Sequence, residues 1–151
     1  LEDVNNQLCD KRMDSMFVTV WLGILDLNTG EMITANAGHE YPALKRNGED
    51  FELYKDKHGL VLGRLPGITY IESKIQFNRG DVLFVYTDGV AEANNPSHEQ
   101  FGLTRMIESL NAHCEGSMDE MINGVQDDVN QFVAEAPQFD DTTMMAIKYL
   151  G

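Results

Sequence analysis

The chain has 151 residues, enough for one domain with a real core, and 42% of them are apolar. Its 11 basic and 25 acidic residues leave a net charge of −14, so the surface is expected to repel DNA, RNA and anionic membranes. No segment reaches the roughly 20 apolar residues of a membrane-spanning helix, and the first residues carry no signal-peptide pattern. The acidic residues are scattered, which argues against a disordered acidic tail. Cys9 and Cys114 lack metal-ligand spacing and read as free thiols of a reducing cytoplasm.

Residues 1–12 read as an amphipathic helix with Val4, Leu8 and Cys9 on one side. Leu1 is not a methionine, and an opening inside an element is expected of a piece of a longer protein. Residues 17–25, "FVTVWLGIL", are apolar in both alternating sets, the pattern of a central strand covered on both faces. Asn28, Thr29 and Gly30 make a turn, and residues 32–37 return as the hairpin partner. Gly38, His39 and Glu40 interrupt, and Pro42 confines the next strand to a sheet edge, or itself to that strand's first position. Residues 42–46 and 51–53 flank a turn at 47–50 and predict a second hairpin. Residues 54–67 read as a loop, broken by Gly59, Gly63 and Gly67. Ile71, Ser73, Ile75 and Phe77 alternate with Glu72, Lys74 and Gln76 in a half-exposed strand. "NRGD" then turns the chain into a buried strand, residues 82–86, so that the first half reads as an antiparallel meander.

The helices come late. Residues 101–113 place Met106, Ile107 and Leu110 on one face, with Phe101 as an anchor. "SMDE" is a capping box in which Ser117 takes the Glu120 amide proton. It opens a helix carrying Met121, Ile122, Val125, Val129, Phe132 and Val133 at helical spacing, closed by Pro137. Residues 142–149 form the last strand. This order predicts an α+β layered domain and not a doubly wound parallel sheet.

Two stretches share one pattern. In "VYTDGV" a buried strand ends in Asp88 and Gly89; in "QFDDTTMMAIKY" Asp140 and Asp141 stand at the entrance of the last strand. If the two strands are antiparallel neighbours, their carboxylates converge at one edge of the sheet. Hard cations such as Mg²⁺ or Mn²⁺ take oxygen ligands, and strand ends hold short aspartates on rigid supports. Gly89 leaves room for close approach. Asp-Gly after a strand is also a common turn, and Asp-Asp before a threonine a common loop. His39 reads as a substrate-side hydrogen bonder or a loop residue. His58, His98 and His113 share no ligand spacing, and Ser15, Ser73, Ser97, Ser109 and Ser117 lack the surroundings of a nucleophile. The Gly59 and Gly63 pair has no Lys-Ser/Thr after it and is no phosphate loop. The eight methionines read mostly as packing.

Taken in order, "MFVTVWLGILDLNTGEMITANAGHEYPALKR", "LPGITYIESKIQFNRGDVLFVYTDGVAEANNPSHEQFG" and "FDDTTMMAIKYL" resemble the SpoIIE-type branch of the PPM metal-dependent serine/threonine phosphatases, over residues 16–150. The resemblance implies an antiparallel β-sandwich flanked by helices and a site for two Mn²⁺ or Mg²⁺ ions. It implies hydrolysis of a phosphoserine or phosphothreonine by metal-activated water, with no phosphoenzyme. Implied substrates are phosphorylated regulatory proteins of the anti-sigma-factor antagonist type, in a bacterial cytoplasm, with this domain as the output of a larger sensor protein. By the motif, Asp88 and Asp140 correspond to metal ligands, Asp141 sits where a neighbouring polar residue is usual, and Gly89 and His39 are site neighbours.

One motif of the branch is missing. Its N-terminal Gly-Asp-x-x-Asp segment supplies the aspartate that bridges the metals. "LCDKRMD", residues 8–14, has aspartates but reads as helical and has no glycine before it. Residues 1–151 are therefore expected to be an N-terminally truncated part of the domain, inactive alone, with unpaired strand edges that favour a homodimer. The alternative is a non-catalytic pseudophosphatase that docks a phosphoprotein.

Overall fold

A computed structural model describes residues 1–10, 16–137 and 140–151. They fall into two units, residues 1–39, 55–77 and 151 in the first and residues 40–54 and 78–150 in the second.

The first unit holds helix α1 (Glu2–Asp10) and a three-stranded antiparallel sheet of β1 (Val20–Leu25), β2 (Glu31–Ala37) and β5 (Glu72–Gln76), in the order β1-β2-β5. The β1–β2 turn forms because the Asp26 carboxylate accepts the amides of Asn28 (2.8 Å) and Thr29 (3.3 Å), and Gly30 adopts a φ of 71°. Met32, Thr34, Asn36 and Ile75 form the buried face of the sheet. Two expectations are corrected here. β1 lies at the edge of the sheet, and Leu22 and Ile24 are 41% and 65% exposed, so this strand is not covered on both faces. In α1 it is Asn5, not Val4, that is buried. Asn5 takes the Gly63 amide on Oδ1 (2.9 Å) and donates from Nδ2 to the Leu65 carbonyl (2.9 Å), tying down the loop that the three glycines break. The expected continuation of this helix through residues 11 and 12 lies outside the described residues, as does Ser15.

The second unit holds the sheet β4-β3-β6-β7, made of β3 (Ala43–Lys45), β4 (Phe51–Leu53), β6 (Val82–Tyr86) and β7 (Met144–Lys148), all pairs antiparallel. Its helices are α2 (Asp88–Ala91), α3 (Gly102–His113) and α4 (Met118–Val133). Val82, Phe84 and Tyr86 pack with Val90, Phe101, Met106, Leu110, Met121, Val125 and Val129 into the core of this unit. Each such side chain contributes about 1.5–3 kcal/mol when fully buried. The capping box forms as expected, Ser117 Oγ accepting the Glu120 amide (3.2 Å) and Glu120 Oε2 accepting the Ser117 amide (2.7 Å). Phe101 meets Phe132 edge-on at 5.4 Å, anchoring the start of α3. Helix α4 stops at Val133, before Pro137, where Ala134 turns to a φ of 51°.

The meander is also corrected. β5 pairs with β2, whereas β6 lies between β3 and β7 in another sheet. "NRGD" is not a hairpin turn because its backbone pairs elsewhere: Gly80 donates to the Tyr149 carbonyl and Tyr149 to that of Asp81. The Asp81 carboxylate, 1% exposed, accepts from the Asn78 amide (2.9 Å), the Asn47 amide (2.9 Å) and Arg46 Nη1 (2.7 Å).

Candidate functional site

β6 and β7 run antiparallel from Val82↔Lys148 to Tyr86↔Met144. The end of one therefore meets the start of the other, which satisfies the condition on which the two aspartate motifs are expected to share one sheet edge. Past the last pair, threonines carry the pairing on. The Thr87 amide donates to the Thr143 carbonyl (3.1 Å), and the Thr143 amide donates back to Thr87 Oγ1 (3.0 Å). Thr87 Oγ1 donates to the Asp141 carbonyl (3.1 Å), and Thr142 Oγ1 to the Gly89 carbonyl (3.5 Å). A β-carbon on Gly89 would lie 2.4 Å from the Asp141 carbonyl oxygen, so the corners come this close only because residue 89 has none.

Asp88 is the first residue of α2 and does not end in a plain turn; its Oδ1 accepts the Gly89 amide at 3.0 Å. Asp140 Oδ1 accepts the Asp141 amide at 2.7 Å. Asp88, Asp140 and Asp141 are all exposed. Two hard oxygen donors on anchored corners suit Mg²⁺ or Mn²⁺ in kind. Among the described residues no three His, Cys, Asp or Glu side chains gather around one point. Two carboxylates leave the other positions of an ion that takes about six oxygens to water or substrate. Behind Asp88, the Tyr86 hydroxyl is buried with no hydrogen-bond partner among the described residues. Burial first, and the charge of Glu40 second, push its pKa up.

His39 belongs to the first unit, at the corner that leaves β2. Gly38 has a φ of 74° there, and a β-carbon on it would lie 2.6 Å from Val61 Cγ1. Asn36 Oδ1 accepts the His39 amide (2.8 Å), its Nδ2 donates to the His39 carbonyl (3.1 Å), and Thr19 Oγ1 lies 3.1 Å from His39 Nδ1. Asn36 is held in turn by Asp56, whose side chain is 2% exposed and also accepts Trp21 Nε1 at 2.9 Å. Sequence reasoning passed over Asp56, since a single aspartate in a loop has no pattern to betray its burial. It also passed over Asp128, whose Oδ2 accepts Ser109 Oγ at 2.6 Å and lies 3.1 Å from His113 Nε2. The carboxylate stands between serine and histidine, and the cluster clamps α3 to α4.

Residues 1–150 match the family model described as Stage II sporulation protein E (SpoIIE). The chain belongs to the SpoIIE family. This SpoIIE-family chain is 32% identical over 133 residues to Protein IcfG of Synechocystis sp., covering 88% of the chain and 21% of the relative. It is 26% identical over 147 residues to the Phosphoserine phosphatase RsbU of Bacillus subtilis, covering 95% and 42%. The chain thus spans less than half the length of these curated relatives. Among solved structures, the SiaA-PP2C domain of Pseudomonas aeruginosa superposes with a TM-score of 0.79 at 18% identity, over 95% of this chain and 57% of that one. The fold is that of the PPM serine/threonine phosphatase domains, an α+β arrangement of antiparallel sheets and helices, as the sequence motifs implied. Among the described residues no helix is long and apolar enough to cross a membrane.

Proposed function

We propose that this chain is the Asp88- and Asp140-bearing part of a metal-dependent serine/threonine protein phosphatase that acts on a phosphorylated regulatory protein of the anti-sigma-factor antagonist type. The observation that carries this reading is the threonine lacing that brings the two aspartate corners together. In it, Asp88 and Asp140 are metal ligands, Thr87 and Thr142 fix the corners that bear them, and Gly89 permits the close approach. A divalent cation held there supplies Lewis-acid polarisation of a phosphoryl oxygen and acidifies bound water. His39 hydrogen-bonds the substrate, its ring oriented through Nδ1 by Thr19. Family membership and likeness to a phosphoserine phosphatase support the substrate class. The chain by itself is expected to be inactive because two carboxylates hold metal poorly. The homodimer expected from the sequence belongs to this reading, and sedimentation at several concentrations checks it.

That only two carboxylates stand at the corner, among the described residues, also favours a second reading, a pseudophosphatase that binds a phosphoprotein without hydrolysing it. Calorimetric titration of Mn²⁺ into the chain and into Asp88→Asn and Asp140→Asn separates the cases. The wild type should bind, and each variant should bind at least about tenfold more weakly, about 1.4 kcal/mol. Isotherms that do not change on substitution would refute the metal assignment. Brisk metal-dependent hydrolysis of p-nitrophenyl phosphate by the chain alone would refute its expected inactivity.

A further inference from the structure

Beside Asp140 the second unit contains a cavity of about 270 Å³ that neither aspartate motif explains. It exists because α4 stops early. Ala134 leaves the helix at a φ of 51°, and the Ala136 amide returns to the Val133 carbonyl at 3.0 Å. This turn brings Ala136 and Pro137 into a lining shared with Ala93, Asn94, Val129, Val133 and, from the aspartate corner, Gly89 and Asp140.

Three of its polar side chains are carboxamides, Asn94, Gln126 and Asn130. Gln126 Nε2 donates to Asn130 Oδ1 at 3.0 Å, one turn apart on α4. That bond leaves, among the described residues, the amide hydrogens of Asn130 and the Oε1 acceptor of Gln126. Side by side they offer a donor and an acceptor, the complement of a peptide group. The Asn94 carboxamide adds another such pair. Among the described residues no basic side chain lines the cavity and the Asp140 carboxylate does, so a phosphate or carboxylate entering it would meet repulsion. The volume lies just under the about 300–1,000 Å³ of small-molecule pockets, room for one or two side chains of a polypeptide.

We propose that this cavity is a subsite for the polypeptide flanking the phosphoresidue. It takes a neutral residue of an extended segment, with Gln126 and Asn130 pairing to its main chain and the valines and Pro137 covering its side chain. The proposal rests on the phosphatase reading above, because it is the shared Asp140 that places a flanking residue here. The phosphate goes to the aspartate corner and the neighbouring residue goes to the cavity.

The test uses the whole chain with Mg²⁺ and fluorescent phosphoserine heptapeptides that have degenerate uncharged residues on both sides, read by anisotropy. Two variants address the cavity without touching the aspartates. Gln126→Ala/Asn130→Ala removes the amide pair from accessible helix positions, where alanine favours the helix. Ala136→Trp fills the space. The wild type should bind the phosphopeptides, the double variant about tenfold more weakly, and the tryptophan variant more weakly still. Mn²⁺ affinity should be the same in all three, whereas it should fall in Asp88→Asn. Phosphopeptide binding equal to wild type in both variants overturns the subsite. A wild type that binds Mn²⁺ but none of the peptides overturns it too, and leaves the metal reading standing. Failure to bind Mn²⁺, with peptide binding still sensitive to the cavity variants, supports the subsite and overturns the metal assignment.

Discussion

Gly89→Ala tests whether the closeness of the two aspartate corners is built in by sterics. Residue 89 lies inside α2 and not at a positive φ, so backbone preference alone would make alanine stabilising by about 1 kcal/mol. The structure predicts the opposite sign. The new β-carbon would stand 2.4 Å from the Asp141 carbonyl oxygen and 3.0 Å from its carbon, both backbone atoms that cannot rotate aside. Reaching an ordinary contact means moving the Asp140–Asp141 segment by about 1 Å. Overpacking of this kind costs about 1–3 kcal/mol. The same movement stretches the bonds from Thr87 to the Asp141 carbonyl and from Thr142 to the Gly89 carbonyl, each contributing about 0.5–1.5 kcal/mol. Set against the helix gain, the net effect is a loss of about 1–5 kcal/mol. With a urea m-value of about 2 kcal/mol/M, the midpoint of unfolding should fall by about 0.5–2.5 M. On the proposed metal reading Mn²⁺ affinity should fall with it, because the two aspartate corners are driven apart. An alanine variant as stable as the wild type, or more so, would show that the segment yields freely and refute the steric argument.

Other outcomes concern the buried polar groups. Asp81→Ala should destabilise by about 3–5 kcal/mol, since it strands the Asn47 and Asn78 amides and leaves Arg46 facing a cavity; urea unfolding at pH 7 checks this. Burial raises the pKa of Asp81, but the Asn78 amide, Arg46 and the Asn47 amide together outweigh it and hold the group below its ordinary 3.8. Its contribution is therefore complete above pH 3.8 and is lost as pH falls through the depressed value in the folded state. The gap in stability between wild type and Asp81→Ala should narrow only below about pH 4; a gap that closes nearer neutrality would contradict the assignment. Asn5→Ala should cost about 2 kcal/mol by leaving the Gly63 amide and Leu65 carbonyl without their partner. Hydrogen exchange should then accelerate at the Gly63 amide, and unchanged protection there would count against the role given to Asn5.

The features readable in the sequence had local causes. The capping box, the turn at residues 28–30, the bounds of β6 and the start of α4 each depend on residues within a few positions of one another. The pairing of β6 with β7 was expected conditionally, from two aspartate motifs with the same relation to a buried strand. The features that could not be read depend on contacts distant in sequence. "NRGD" looks like a hairpin turn until Gly80 and Asp81 are seen bonded to Tyr149, which puts β5 and β6 in different sheets. "FVTVWLGIL" reads as covered on both faces because apolarity reports affinity for cover and not its presence; Leu22 and Ile24 stand exposed. Asn5 and Asp56 are polar residues buried by partners up to 60 positions away, and no periodicity encodes that.

The same contrast sorts the aspartates by what each is for. Asp81 and Asp56 are buried and surrounded by donors, the arrangement that makes a buried carboxylate tolerable, and a cation would have to displace those donors to bind. Asp26 is exposed but turns both of its accepted amides to shaping a hairpin. Asp88 and Asp140 are different. Each accepts the amide of the next residue, and each is exposed to solvent. The structure around them is nevertheless tightly specified: two threonine side chains and a glycine set the distance between their backbones. Keeping the two carboxylates exposed on that fixed corner adds little to the stability of the fold, because solvent-exposed charges contribute little. It does lower the cost of placing two oxygen ligands around one ion. The rigidity belongs to the backbone and the accessibility to the side chains, and this division argues for ligands over turn residues at positions 88 and 140.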